Sequence, residues 1–135
     1  MRLPDEVKRI LVARWLAKAE TDLGAAEALL EEDHSFYYPS CFFSQQAAEK
    51  YIKAFLTHHQ VEFPKTHLFE DLLDLVGRID GNLADEIEPV MVLNPYGVEV
   101  RYPGNTPEPT RAQAEEALSI ARFVRDAIMK ALPEF

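Results

Sequence analysis

The chain predicts an all-α fold, an up-and-down bundle of four to five helices with a proline-rich loop before the last helix. Three observations carry this. Apolar residues recur at three- and four-residue spacing through most of the 135 residues, the period of a helix with one buried face. The alternating residues Tyr96, Val98, Val100 and Tyr102 have no second strand in the sequence to pair with, so a sheet is not expected and an extended lid is. Proline, glycine and capping residues divide the chain into helix-length segments. A chain this long buries roughly two-thirds of the surface it exposes when unfolded, so residues 1–135 are expected to form one domain.

The first helix opens at Pro4, which fits a first helical turn, and Asp5 and Glu6 suit the positive end of the helix dipole. It extends to Glu32 with Ile10, Leu11, Trp15, Leu16, Leu23, Ala26 and Leu30 as its apolar stripe. Gly24 weakens it, and a break after Val12 is the alternative. Ser35 caps the second helix, Pro39 falls in its first turn, and the helix reaches about His59. Phe63-Pro64 ends that region, because the residue before a proline is pushed out of the helical well. Thr66 or His67 starts a third helix with Leu68, Leu72, Leu73, Leu75 and Val76 as its stripe, and Gly77 and Gly81 bracket its end. Asn82 caps a short fourth helix reaching Glu88 or, kinked at Pro89, Leu93. From there the prolines cluster: Pro89, Pro95, Pro103, Pro107 and Pro109 are five of the chain's nine, and Asn94 to Pro109 reads as an ordered loop. Thr110 followed three residues later by Gln113 is a capping box, opening a last helix through Ala114, Leu118, Ala121, Phe123, Val124 and Ile128 to about Ala131.

Composition excludes several classes of function. Cys41 is the one cysteine, so no internal disulfide framework is available. No charged-then-apolar leader and no apolar run of bilayer length occurs, and a cytoplasmic location is expected. A net charge of −9 repels polyanions, which argues against nonspecific nucleic-acid binding; a nucleotide site has to be local. There is no His-Glu-x-x-His pair, Cys-x-x-Cys or acidic calcium loop, no glycine-rich phosphate loop, and no strand-to-helix elbow around Ser44. No metal and no cofactor are expected.

The polar residues of the second helix remain to be explained. Phe43, Ala47, Tyr51 and Ala54, widened by Phe42, Ile52 and Leu56, ask for burial on two sides, with Gln46, Glu49, Lys50 and Lys53 between them. Glu49 and Lys53 have the i to i+4 spacing of a surface ion pair, worth about 0.3–0.5 kcal/mol. The alternative sets Lys50 and Lys53, one turn apart, beside the loop carrying Arg101, as a positive pocket suited to phosphate. Gln45 and Gln46 suit either a base or sugar edge or the backbone of a neighbouring loop. Arg101, flanked by Tyr102 and Pro103, reads either as a ligand-binding guanidinium or as a partner of Glu49 that pins the loop. His67 at a helix start either bonds the cap or points into a cleft. His58 and His59 suit the negative end of a helix dipole, and His34 lies in a turn. Trp15, Phe42, Phe43, Tyr51, Phe55 and Phe123 read as core. Phe36, Tyr37 and Tyr38 cannot all face one core, so with the spare apolar positions of the first helix they point to a homodimer interface.

Taken in order, Ser44-Gln45-Gln46-Ala47-Ala48-Glu49-Lys50-Tyr51-Ile52-Lys53-Ala54-Phe55-Leu56, then Lys65-Thr66-His67, then Arg101-Tyr102-Pro103, the chain resembles the HEPN family over roughly residues 12 to 130. These are small all-helical domains of higher eukaryotes and prokaryotes. The resemblance implies a short bundle that dimerises and, in many members, a metal-independent ribonuclease whose pair is an Arg and a His separated by four to six intervening residues. Arg101 matches that arginine, but Thr106, Pro107 and Glu108 stand where the histidine belongs. Other members resemble nucleotide-binding or partner modules working with a small nucleotidyltransferase, in some cases as toxin and antitoxin. The leading expectation is therefore a non-catalytic dimeric module for a nucleotide or a nucleotidyltransferase, with Lys50, Lys53, Arg101 and Tyr102 lining the site and His67, Gln46 and Glu49 beside them. The alternatives are a ribonuclease toxin rebuilt around Arg101 and His67, and an acidic helical adaptor without a ligand.

Overall fold

The computed structural model describes residues 2–31, 36–97 and 107–133, and all their regular structure is helical. Helix α1 spans Asp5–Glu31, α2 Tyr37–His58, α3 Phe69–Ile79 and α4 Gly81–Glu86; a 3₁₀ segment covers Glu88–Tyr96, and α5 spans Arg111–Ala131. Helix α1 is continuous, without a break after Val12. Its buried residues Val12, Ala19, Leu23, Ala26 and Leu30 are three, four or seven apart, the spacing of one helical face. Ile10 falls off that face and is exposed, as are Leu3 and Val7.

Helices α1 and α2 run antiparallel, as the order of their cross-links requires. Ser40 Oγ donates to Ala26 O at 2.8 Å, Lys50 Nζ pairs with Asp22, Tyr51 donates to Glu20, and Gln60 Oε1 accepts from Leu3 N at 2.7 Å. Helix α2 packs against α1, α5, α3 and the 3₁₀ segment, and is buried on nearly every side from Ser40 to Leu56. Full burial of side chains such as Tyr51, Ile52 and Phe55 contributes about 1.5–3 kcal/mol each for the apolar ones, which makes α2 the axis of the core. Pro39 is tolerated because it sits in the first turn. At the other end Gln60 adopts a left-handed φ of 54°, and Val61 N bonds Leu56 O at 2.9 Å, so the helix closes in a left-handed cap filled by glutamine rather than glycine.

Later boundaries differ from the sequence expectation in instructive ways. Helix α3 begins at Phe69 rather than at Thr66 or His67, because Thr66 Oγ1 accepts from Leu68 N at 3.1 Å and closes a turn. Leu68 is left exposed, while Phe69, Leu72 and Val76 face the core. The cap of α4 is Asp80, whose side chain accepts from Leu83 N, and not Asn82. The chain then tightens into the 3₁₀ segment, with Pro89 in its first turn, so helical backbone continues through Tyr96. Helix α5 starts and ends where the sequence places it, and Thr110 and Gln113 form both bonds of the capping box. Phe123 is exposed: it lies 200° around the helix from Ala121, off the stripe of Ala114, Ala117, Leu118, Ala121, Val124 and Ile128. Ser35, His34 and residues 98–106 lie outside the described residues.

Candidate functional site

Positions i, i+4 and i+8 stack along one helical face, so α2 aligns Gln45, Glu49 and Lys53. Glu49 is the centre of what they build. Its Oε2 accepts from Lys53 Nζ at 2.9 Å; its Oε1 lies 3.0 Å from His67 Nδ1 and 3.2 Å from Gln45 Nε2. Gln45 also donates to the carbonyl of His67 at 3.4 Å, and Gln46 Nε2 donates to Gln45 Oε1 at 2.6 Å. The ammonium of Lys53 lies 5.7 Å from the ring centroid of Trp15 and 5.4 Å from that of Phe63, a setting that favours a cation over aromatic faces.

The expectation of a surface Glu49–Lys53 pair is overturned. Their side chains are 5% and 9% exposed, because Trp15 from α1 and Phe63 from the segment after α2 cover that face of the helix. Burial pushes the Glu49 carboxyl up, but the hydrogen bonds from Lys53, His67 and Gln45 and the charge of Lys53 outweigh it and hold the group below the usual carboxylate range. An ionised carboxylate only accepts, so it requires His67 to present Nδ1–H inward, and in the neutral imidazole this leaves Nε2 as the acceptor. The His67 side chain is 65% exposed. The outcome is a solvent-facing imidazole fixed in tautomer and orientation by a buried carboxylate, itself neutralised by a buried ammonium.

Gly97 completes the wall. A Cβ there would sit 3.2 Å from Gln45 Nε2 and 3.4 Å from His67 Cβ, and Gly97 is the last described residue before the segment that carries Arg101 and Tyr102. Those two candidates lie outside the described residues. Lys50 turns elsewhere: its ammonium pairs with Asp22 of α1, on the edge of a shallow cleft of about 310 Å³ with Lys18 and Thr21. The structure thus joins Glu49, Lys53, His67, Gln45 and Gln46 in one network and sets Lys50 in another pair. Sequence reasoning missed Asp22, Gly97 and the aromatic cover of Lys53. Only Gly97 carried a local signal, as a glycine following the tyrosine that ends the 3₁₀ segment. The buried Tyr51 hydroxyl donates to Glu20, and burial together with that carboxylate pushes it above the usual tyrosine range.

The HEPN domain model matches residues 12–132. The chain belongs to the HEPN family. Two solved structures are similar in fold and length. TT1696 from Thermus thermophilus is 28% identical, with a TM-score of 0.72 over 90% of this HEPN chain and 98% of that one. ST0689, an archaeal HEPN homologue, is 24% identical, with a TM-score of 0.67 over 89% and 96%; at that identity the likeness speaks for the fold alone. No curated protein matches the chain. Among the described residues, no helix is long and apolar enough to cross a membrane, and no group of three or more His, Cys, Asp or Glu side chains is placed to hold a metal ion.

Proposed function

We propose that this HEPN chain is a non-catalytic, dimeric module that binds a nucleotide and/or a partner nucleotidyltransferase, as one half of a toxin–antitoxin type pair. The observation that carries the reading is His67, held by buried Glu49 at the surface, next to the point where the chain continues from Gly97 toward Arg101 and Tyr102. In this reading Arg101 takes a phosphate with its planar fork, Tyr102 stacks on a base, and Gln46 adds a donor at the rim, while Lys50, paired with Asp22, acts from a separate face. Lys53 and Glu49 do not touch the ligand. Glu49 fixes the imidazole, and Lys53 keeps Glu49 ionised. Without a histidine at Thr106 to Glu108, the family's cleavage pair is incomplete and Arg101 serves binding. The test is titration of the purified protein with nucleoside mono- and triphosphates, with mass spectrometry of what copurifies from its own lysate. Arg101→Ala should lose the nucleotide or the nucleotidyltransferase with its melting temperature unchanged. If that variant retains both, or simply melts, the reading fails.

One observation favours a second reading, a metal-independent ribonuclease. A carboxylate bonded to imidazole Nδ1 is also how a general base is oriented. That reading expects RNA cleavage in the presence of chelator, abolished in His67→Ala and strongly reduced in Glu49→Gln.

A further inference from the structure

A second polar site lies at the C-terminal end of α2. Nine residues beyond Glu49, about 14 Å along the helix axis, a cleft of about 510 Å³ is lined by Arg2, Lys8, His58, His59 and Gln60. Arg2 and Lys8 precede the span that matches the HEPN family, which begins at residue 12. We propose that this cleft binds a phosphate group, as the free anion or as the end of a nucleotide, between the N-terminal segment and the end of α2.

Charge is the first argument. In a chain of net charge −9, two permanent cations and two imidazoles line one cleft that, among the described residues, no carboxylate lines. Lys and Arg with histidine supply the charge-assisted N–H donors that suit a tetrahedral oxyanion. The acidic groups nearby are on the outside. Asp5, 4.0 Å from the Lys8 ammonium, is 82% exposed, and Glu6, Glu62 and Asp80 are exposed as well.

The walls are also fixed in place. Gln60 sits in the left-handed cap of α2 and its side chain accepts from Leu3 N at 2.7 Å, tying the segment that carries Arg2 across the helix end. The His59 ring packs at 4.6 Å on Phe55 and at 4.9 Å, edge-on, on His58. The Lys8 side chain is only 17% exposed, and its backbone N–H bonds Pro4 O at 3.0 Å. Burial and the charge of Lys8 hold both imidazoles below the usual histidine range, with Asp80 pulling His59 the other way. A bound anion would reverse that bias, so the histidines should take up protons as the ligand arrives.

The experiment is NMR of the His58 and His59 imidazoles during titration with inorganic phosphate, a nucleoside 5′-monophosphate and the bare nucleoside, at constant ionic strength. Phosphate should shift both rings saturably and raise their pKa values. Lys8→Gln should weaken the effect about fivefold to tenfold, Lys8→Arg should restore most of it, and Arg2→Gln should weaken it separately. If the monophosphate binds at least tenfold tighter than phosphate, the natural ligand is a nucleotide end; equal affinity marks a site for the phosphate group itself. Both support the proposal. A response to the bare nucleoside but not to phosphate overturns it, as do equal shifts with chloride or no saturable shift. The His58 and His59 rings report on this cleft and not on the His67 network, so failure here is distinct from failure of the function proposed above.

Discussion

Replacing Glu49 by glutamine tests the central network directly. The Glu49 and Lys53 side chains are 5% and 9% exposed, and removing one partner of a buried ion pair costs about 3–5 kcal/mol, because the survivor is left charged and uncompensated. Glutamine keeps one acceptor for Lys53 and the Trp15 and Phe63 faces still shelter the cation, so the expected loss falls below that range, at about 2–3 kcal/mol. For a domain of this length that is a fall of about 6–15 °C in melting temperature. Lys53→Met should cost a similar amount. The double variant Glu49→Gln/Lys53→Met should recover to within about 1 kcal/mol of wild type, since apolar replacement of a whole buried pair is close to neutral. The pH dependence has a definite sign. Glu49 is held below the usual carboxylate range, so its contribution is complete above the unfolded pKa and fades as pH falls below about 4–5 toward the folded value. Glu49→Gln should lack that part of the acid limb. Urea unfolding at pH 7 and pH 4 with a double-mutant cycle reads all of this. A Glu49→Gln cost under about 0.5 kcal/mol, or strict additivity of the two substitutions, would refute the buried-pair argument.

Three further outcomes follow from local geometry. Gly24→Ala should stabilise the protein by about 0.5–1 kcal/mol, since a Cβ there meets nothing within 4 Å in the middle of α1. Gly97→Ala, at 3.2 Å from Gln45 Nε2, should instead displace the Gln45 and His67 resonances in an NMR spectrum; spectra that change equally little for both would remove Gly97 from the site. Thr110→Ala should cost about 1 kcal/mol in urea unfolding by deleting the capping box, with Thr110→Ser restoring most of it.

What the sequence made legible was what local chemistry decides. The bounds of α5 are readable because Thr110 and Gln113 satisfy each other's backbone within one turn. The start of α3 is not, because Thr66 has two uses for the same hydroxyl and the chain closes a turn with it. Asp80 and Asn82 are equally good caps by type, and which one serves depends on where the chain turns after Ile79. The ladder of Gln45, Glu49 and Lys53 is visible as spacing, yet its burial is not. The rings over Lys53 come from Trp15 and Phe63, 38 residues upstream and ten downstream, and the partner of Lys50 is 28 residues away on another helix.

That burial changes how the candidate residues divide. A lysine that is 9% exposed, bonded to Glu49 and set between two aromatic rings cannot bring its remaining N–H donors to a ligand without uncovering the pair that stabilises the core. If a nucleotide binds as proposed, the influence of Lys53 on it has to pass through Glu49 to His67. Lys53→Met and Glu49→Gln should therefore change nucleotide affinity by a similar modest factor, in proportion to how far they release the imidazole. His67→Ala should match or exceed them, and Lys50→Gln should act independently through the Asp22 side. Nucleotide titration of the four variants, each checked for folding, separates the roles. An affinity loss in Lys53→Met much larger than in His67→Ala would mean that the ammonium itself reaches the ligand and that the network opens on binding.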